Sequence, residues 1–168
     1  MISPATHVGS PILPRHKGSY MLLLELTQPI TLAVGRIGPL DFSRGLYIYV
    51  GSARGPGGLA ARLGHHLGRA KRRHWHIDYL RLRAPVVAVW AGWGAAAEHL
   101  SECRLANRLA RQADLSQPFK GFGSSDCACF SHLLHWPSAG RGGPQASISR
   151  LNAISSLEKI FPPMTRLR

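Results

Sequence analysis

The chain has 168 residues, of which 45% are hydrophobic, and a chain of this size buries one sizeable core with little left for a second. Lysine and arginine number 21 against 8 acidic residues, and the resulting formal charge of +13 indicates a polyanionic partner. The longest apolar run, residues 84–97, is interrupted by proline and glycine and falls short of the ~20 residues that a membrane-spanning helix needs, so we expect no membrane segment.

The N-terminal segment, residues 1–17, contains prolines and no continuous apolar stretch. This is not the pattern of a secretory signal, so we predict a flexible arm and a cytoplasmic location. The chain has three cysteines, an odd number. Without an export signal, they are expected to be reduced thiols or metal ligands rather than a disulfide framework.

Three short apolar or β-branched runs predict strands. SYMLLLEL (Ser19–Leu26) has the length of a buried strand, and PITLAV (Pro29–Val34) and GLYIYVG (Gly45–Gly51) follow it, separated by a glycine and proline turn. We expect the three to be neighbouring antiparallel strands. The alternation of side chains along a strand places Tyr47 and Tyr49 on one face.

A glycine-rich loop then leads into a predicted amphipathic helix over residues 59–70. Its leucines recur every four residues from Leu59 to Leu67. Arg62 and His66 are also four residues apart, so we expect them to share a second face of that helix, beside the leucine stripe.

The remaining elements are shorter. We predict a connecting helix at residues 74–80, a fourth strand at 85–93, a helix at 95–113, a loop at 119–126 and an edge strand at 131–136. On the 95–113 helix, the apolar side is expected to include a cysteine, and the acidic residues are expected to share another face.

Residues 138–168 are rich in glycine, serine and proline, so we predict a largely disordered tail with one short helix near residues 154–161. The domain proper is expected over residues 18–137. Its segregated short strands and helices predict an α+β fold with a small, mainly antiparallel central sheet flanked by helices.

Basic residues concentrate between Gly51 and Arg83, where Asp78 is the single acidic residue. We expect this stretch to lie against the phosphates of a nucleic acid. An anionic membrane surface is the competing partner, but the stretch lacks the wide apolar face that an interfacial helix needs. The residues expected to contact phosphates are Arg54, Arg69, Lys71, Arg72 and Arg73.

The chain holds the side chains that phosphodiester hydrolysis requires. The reaction needs an anion clamp, a group that activates water and usually a divalent cation held by a carboxylate. Arg62 can bind a phosphate through two hydrogen bonds, and His66 can move protons. Glu102, on a helix otherwise apolar and basic, is expected to face solvent or a metal. Each residue taken alone is more commonly structural, such as a glutamate in a surface salt bridge.

The order of these residues resembles the GIY-YIG endonuclease superfamily. Gly18-Ser19-Tyr20 on the first strand is similar to the GIY element, and Tyr49-Val50-Gly51 to the YIG element. Arg62, His66 and Glu102 follow in the superfamily's order. The resemblance implies a GIY-YIG endonuclease-like fold that hydrolyses DNA. A single Mg²⁺ or Mn²⁺ would be held by Glu102, the arginine would steady the phosphate, and one tyrosine or the histidine would help to activate water.

A closer resemblance is to an uncharacterised prokaryotic domain family of that superfamily, which is sometimes fused to endonuclease III. The strings that carry it are GLYIYVGSA, GGLAARLGHH, HWHIDYL and GFGSSDCACFSHL. The likeness spans about Gly18 to Trp136. It implies DNA cleavage in repair, recombination or mobile-element processing, with RNA as an open alternative ligand.

Two departures from the superfamily pattern bear on activity. The interval between the two motif tyrosines is longer than usual, which implies a long hairpin containing Ile37–Arg44. The superfamily's late asparagine is absent, because the corresponding loop reads FGSSDC, where Ser124, Ser125 or Asp126 could substitute. The alternative function is therefore a nucleic-acid-binding module that has lost turnover.

The cysteines offer a possible structural zinc site. Cys127, Cys129 and His132 cluster within six residues, and Cys103 could complete a tetrahedral Cys₃His set that braces the FGSSDC loop against the Glu102 helix. The C-x-C-x₂-H spacing is unusual for zinc, and a cysteine on the apolar side of a helix is more typical of core. Structural zinc is therefore the weaker expectation.

The run HWHID offers a further possible ligand set, His74, His76 and Asp78. Trp75 and Ile77 alternate with these residues as packing side chains. Contact with phosphate, beside the neighbouring arginines, is the role we expect for the set.

Overall fold

The computed structural model describes residues 13–68, 72–94, 101–137 and 165–167. The strands are β1 (Gly18–Leu26), β2 (Ile30–Val34), β3 (Gly38–Phe42), β4 (Gly45–Ala53), β5 (Val86–Trp93), β6 (Leu133–Trp136) and β7 (Thr165–Leu167). The helices are α1 (Gly58–Leu67), α2 (His76–Arg81) and α3 (Glu102–Leu109), with a 3-10 helix at Gly35–Ile37. The predicted α+β fold, with a small antiparallel sheet flanked by helices, is confirmed.

The main sheet is antiparallel, with the strand order β6-β4-β1-β5-β7. β1 lies at its centre, because its continuous apolar run can be covered on both faces. It pairs with β4 along its whole length, from Gly18 opposite Ala53 to Leu26 opposite Gly45. Its other edge pairs with β5. The edge position predicted for residues 131–136 is confirmed by β6.

β2 does not join this sheet, so the prediction of three neighbouring strands is wrong. It pairs with β3 in a separate two-stranded hairpin that lies between β1 and β4 in the sequence. β4 occupies one hydrogen-bonding edge of β1 and β5 occupies the other, which leaves no edge for β2. The hairpin accounts for the long interval between Tyr20 and Tyr49.

Side chains along the central strands alternate between two hydrophobic clusters on opposite faces of the sheet. Tyr20 and Leu22 belong to the cluster that includes residues of α1, α2 and the β2–β3 hairpin. Met21 belongs to the other cluster, which includes residues of α3. Tyr47 and Tyr49 lie in the first cluster, so the common face predicted for them is confirmed.

Helix α1 forms where predicted, but its buried face differs from the leucine stripe. Leu59, Leu63 and His66 are buried, whereas Leu67, the last helical residue, is 41% exposed. Position 66 follows Leu59 by seven residues, about two turns, so its side chain returns to the same face of the helix. His66 therefore points into the core and does not share a separate face with Arg62.

Two residues of the predicted N-terminal arm contact the domain through their backbone. The carbonyl groups of Pro14 and His16 accept hydrogen bonds from the N–H groups of Ala60 and Leu59, at 2.8 and 2.9 Å. These N–H groups lie in the first turn of α1, which has no side-chain cap. The arm thus supplies partners that the start of a helix otherwise lacks.

Other predictions fall partly outside the described residues. Of the helix predicted at 95–113, residues 95–100 lie outside, Glu102–Leu109 form α3, and residues 110–113 do not continue it, so the predicted C-terminal end is wrong. The tail helix predicted near 154–161 also lies outside, whereas Thr165–Leu167 form β7, where we predicted no strand. Among the helices that the structure describes, none has both the length and the apolarity of a membrane span.

Candidate active site

The two predicted motif segments lie side by side at the centre of the main sheet. Tyr20 of β1 is opposite Gly51 of β4 in the antiparallel register. The Tyr20 ring passes so close to the backbone of Gly51 that a Cβ at position 51 would overlap the ring and its hydroxyl. The tyrosine of one motif therefore requires the glycine of the other.

A cleft of about 330 Å³ opens beside Tyr49. Arg62 of α1 and Glu102 of α3 also line it, so three of the five predicted catalytic residues, from three different elements, face one space. Tyr20 and His66 do not line it, and both side chains are buried. The other lining residues are Ser52, His74, Trp75, His76, Gly123, Ser125 and Asp126.

The Arg62 side chain is held in the cleft by an aromatic ring. Its Cζ lies 3.9 Å from the centroid of Trp75. A guanidinium stacked in this way keeps N–H groups available at its edge. None of the ion pairs among the described residues involves Arg62 or Glu102, so the alternative of a surface salt bridge for Glu102 is not observed there.

Tyr20, His66 and Asp78 form a buried chain of hydrogen bonds. Tyr20 Oη lies 2.8 Å from Nε2 of His66, and Nδ1 of the same ring lies 3.2 Å from Oδ1 of Asp78. An ionised carboxylate can only accept, so Nδ1 carries the ring proton, Nε2 accepts, and the tyrosine hydroxyl donates. Burial lowers the pKa of His66, although Asp78 opposes this, and the neutral ring is favoured.

Asp78 joins α1 to α2 through the hydrogen bonds that it accepts. Its carboxylate is fully buried and accepts from Nε2 of His65 at 2.9 Å, from Nε of Arg81 at 2.7 Å, and from two backbone N–H groups before α2 at 2.8 and 3.1 Å. Burial by itself raises the pKa of Asp78. The hydrogen bonds, led by those from His66 and Arg81, outweigh burial and hold the pKa far below its usual value.

The ligand set predicted from His74, His76 and Asp78 does not form. His74 and His76 line the cleft, whereas Asp78 is fully buried and groups instead with the histidines of α1. Of these three residues, only His74 and His76 are placed to contact a phosphate in the cleft. The sequence does mark Asp78 in one respect, because it is the single acidic residue of a strongly basic segment. A lone carboxylate in such a segment is well placed to neutralise cations within the fold.

Both motif tyrosines are protonated at neutral pH. Burial is the main cause that raises the pKa of Tyr20 and of Tyr49, the nearby Glu102 carboxylate adds to it, and the Arg62 charge opposes it. The two rings are adjacent, with centroids 6.4 Å apart. Their hydroxyl groups therefore act as hydrogen-bond donors rather than as bases.

The loop at residues 119–126 lines one part of the cleft. Gly123 has a φ of +74°, and a Cβ there would collide with the Tyr49 ring, 2.7 Å from Cε2. The Gly123 N–H donates to Nδ1 of His76 at 3.0 Å. Because residue 123 is glycine, the loop can approach the Tyr49 ring closely while its backbone is hydrogen-bonded to His76 of α2.

The three residues that could replace the absent asparagine have different positions. Ser124 is buried, and its hydroxyl donates to the carbonyl group of Phe130 at 3.4 Å. Ser125 and Asp126 are exposed and line the cleft. Ser125 and Asp126 are therefore the two candidates that the geometry retains.

The predicted phosphate-binding residues are described in part. Arg54, Arg72 and Arg73 are exposed, as phosphate contact requires. Arg69 and Lys71 lie outside the described residues. Arg81 belongs to the same basic stretch, but its Nε donates to the buried Asp78, so part of its charge is used inside the fold.

A second cluster of polar side chains lies where the start of α3 meets the following loop. Cys103, Cys127, Cys129 and His132 bring one ligand atom each within 4.8 Å of one another. Sγ of Cys103 and Sγ of Cys127 lie 3.6 and 3.5 Å from Nε2 of His132. Cys103 is half-buried and not one of the core residues, contrary to the expectation for it. Burial and the two neighbouring thiols raise its pKa.

Comparison with known proteins identifies a family. Residues 19–151 match the family described as "Domain of unknown function DUF123". No curated protein and no solved structure matches the chain. The matched region includes all the cleft residues and the Cys₃His cluster. Because the match covers most of its length, the chain belongs to the DUF123 family.

Proposed function

We propose that the protein is a metal-dependent DNA endonuclease of the GIY-YIG type that hydrolyses phosphodiester bonds in the cleft beside Tyr49. The observation that carries this proposal is the convergence of Tyr49, Arg62 and Glu102 on that cleft. Arg62 supplies the anion clamp and Glu102 the carboxylate for a divalent cation, which are two of the groups that phosphodiester hydrolysis needs, and Tyr49 adds a hydroxyl donor. Tyr20 of the first motif packs directly against Gly51 of the second, so the fold uses the two motifs together. This contact supports the same proposal.

The cleft offers ligands that suit a hard divalent cation. Glu102 and Asp126 both line it, and neither carboxylate takes part in an ion pair with a described residue. Mg²⁺ and Mn²⁺ prefer oxygen ligands and are commonly held by one or two carboxylates and water. We assign the ion to Glu102, with Asp126 as the second carboxylate. A bound cation supplies polarisation of a phosphoryl oxygen and a lower pKa for bound water.

The chain's own residues would hold the phosphate and move the proton. Arg62, stacked on Trp75, can donate two hydrogen bonds to the scissile phosphate and offset the charge that develops on it. The protonated hydroxyl of Tyr49 can donate another. His74 is exposed at the cleft and can accept the proton of the attacking water. His76 is less suited to this role, because its Nδ1 already accepts a backbone N–H.

Tyr20, His66 and Asp78 are positioning residues in this proposal. They are buried, and their hydrogen bonds connect β1, α1 and α2. His66 follows Arg62 by about one turn of α1, so fixing the histidine also fixes the part of the helix from which Arg62 reaches the cleft. This role replaces the expectation that Tyr20 or His66 activates water directly.

The exposed arginines favour a nucleic-acid substrate. Arg72 and Arg73 directly precede His74 of the cleft, and Arg54 follows β4, which carries Tyr49. A phosphate backbone lying in the cleft would therefore meet further positive charge in adjoining segments. The resemblance to GIY-YIG enzymes favours DNA over RNA, and repair, recombination or mobile-element processing as the setting.

The test is incubation of nicked, branched and linear DNA with Mg²⁺ or Mn²⁺, comparing the native chain with Glu102→Ala. We expect both to bind and only the native chain to cleave. Asp41→Ala is a matched control, because Asp41 is an exposed carboxylate on β3 that does not line the cleft. Binding by both chains with cleavage by neither would contradict the proposal and favour a binding module that has lost turnover, as the absent asparagine would allow.

A further inference from the structure

We propose that Cys103, Cys127, Cys129 and His132 bind one structural Zn²⁺ that holds the two cleft carboxylates in place. With Zn–S bonds of about 2.3 Å and Zn–N bonds of about 2.0–2.1 Å, tetrahedral geometry places sulfur and nitrogen ligands about 3.5–3.6 Å apart. The distances from the sulfurs of Cys103 and Cys127 to Nε2 of His132 are 3.6 and 3.5 Å. Two edges of the cluster therefore already have the length that a zinc tetrahedron requires.

The cluster is poorly satisfied without a metal. His132 is fully buried, and its Nδ1 has no hydrogen-bond partner among the described residues. Its Nε2 faces two sulfurs, which are weak hydrogen-bond partners. A metal bond at Nε2 would replace these weak sulfur contacts with a strong interaction, whereas Nδ1 keeps no partner among the described residues with or without the metal. A disulfide between two of the cysteines is a poorer alternative, because it would give the His132 imidazole no better partner than the sulfurs already beside it.

Each cleft carboxylate is the immediate sequence neighbour of a proposed zinc ligand. Glu102 precedes Cys103 at the start of α3, and Asp126 precedes Cys127 in the loop. One ion bound by both cysteines would tie these two segments together and set the spacing of the two carboxylates. This consequence rests on the proposed function, whereas zinc binding itself does not.

The first test is the zinc content of reduced protein purified without chelator from zinc-supplied culture. We expect one zinc per chain in the native protein and in Ala128→Ser, a matched control at an exposed position between Cys127 and Cys129. The double variant Cys127→Ser/Cys129→Ser should lose it. A native chain without stoichiometric zinc, or a double variant that keeps its zinc, would overturn the proposal.

Cobalt substitution of the native chain makes the test independent of how well the variants fold. Co²⁺ should give the thiolate charge-transfer band and the intense visible d–d bands of tetrahedral coordination. A weak octahedral spectrum without the thiolate band would contradict the assigned ligands, because it would place the ion on surface oxygen and nitrogen groups instead.

The cleavage assay separates the two proposals. Zinc-stripped, reduced protein assayed with Mg²⁺ should cleave about tenfold or more slowly, and should recover when one equivalent of zinc is restored. Cleavage at the native rate without zinc would overturn the positioning role and leave the nuclease proposal intact. Stoichiometric zinc in a chain that cleaves no DNA would contradict the nuclease proposal alone.

Discussion

The hydroxyl of Tyr20 and Nε2 of His66 lie 2.8 Å apart in the interior and connect the central strand of the sheet to helix α1. The contact gives the motif tyrosine a partner that is not in the cleft. The same ring bonds Asp78, so a strand and two helices are joined through one imidazole. The site therefore consists of residues that line the cleft and of a buried chain, Tyr20, His66 and Asp78, that connects the elements carrying them.

Replacing Tyr20 with phenylalanine should remove a hydrogen bond and leave Nε2 of His66 unpaired. We expect the free energy of unfolding to fall by about 1–3 kcal/mol in urea titrations. The pKa of His66, followed by NMR, should rise, because the lost donor had stabilised the neutral ring. Tyr79→Phe is the control, since that tyrosine is only half-buried. An unchanged His66 pKa would mean that the hydroxyl does not donate to the ring.

Acid should destabilise the protein in two pH windows. The folded-state pKa of His66 is lowered, so its contribution to stability is lost as pH falls below the ordinary histidine value of about 6.5. The folded-state pKa of Asp78 is also lowered, so its contribution is complete above about 3.9 and is lost as pH falls further.

Variants can assign these two windows to their residues. Unfolding free energies measured from neutral to acid pH should lose less stability across the upper window in His66→Gln, where the lowered pKa of His76 and of His135 still contributes, and should lose the lower window in Asp78→Asn. Asp78→Asn should also cost about 3–5 kcal/mol at neutral pH, because it breaks a buried charged network. Asp41→Asn, at an exposed carboxylate, should keep both windows. If Asp78→Asn kept the lower window, the carboxylate would not be its source.

Two glycine-to-alanine changes should have opposite effects on stability. A Cβ at Gly51 would overlap the Tyr20 ring, so Gly51→Ala should lower the free energy of unfolding by about 1–3 kcal/mol. Gly64 is exposed within α1 with open space around its Cβ position, so Gly64→Ala should raise it by up to about 1 kcal/mol. Equal effects in chemical denaturation would contradict the packing of Tyr20 against Gly51.

DNA affinity should depend steeply on salt if the exposed arginines meet phosphates. Each phosphate contact contributes about −0.9 to the slope of log affinity against log salt concentration. Arg72→Gln/Arg73→Gln should therefore make the slope shallower by about two. Arg111→Gln, at an exposed position beyond the C-terminal end of α3, should leave it unchanged. A flat slope for the native chain would exclude this surface as the contact.

The sequence predicted the positions of the elements better than their partners. The period and length of the apolar runs specify β1, β4 and α1, because burial of one or both faces determines those patterns. Periodicity does not say which strand pairs with which, so β2 was placed wrongly beside β1. The return of His66 to the face of Leu59 follows from helix geometry, but a polar residue on an apolar face gives no indication of its partner.

The residues that hold the site were harder to predict than those that line it. Tyr49, Arg62 and Glu102 could be proposed from residue type and order, and the fold brings them to one cleft. The role of Asp78 depends on donors from α1 and from the segment around α2, which only the tertiary structure brings together. The position of Cys103 beside His132 likewise results from the approach of a loop to α3.

The most direct test of the cleft is a single-turnover cleavage assay in which the protein is in excess and all the DNA is bound. The native chain is compared with Glu102→Gln in the same Mn²⁺ buffer. Glutamine keeps the shape of glutamate and removes its charge. We expect equal DNA affinity and a cleavage rate about 10²–10³-fold lower in the variant. Equal rates in the two chains, or no cleavage by the native chain, would contradict the assignment of Glu102 and its cleft as a nuclease site.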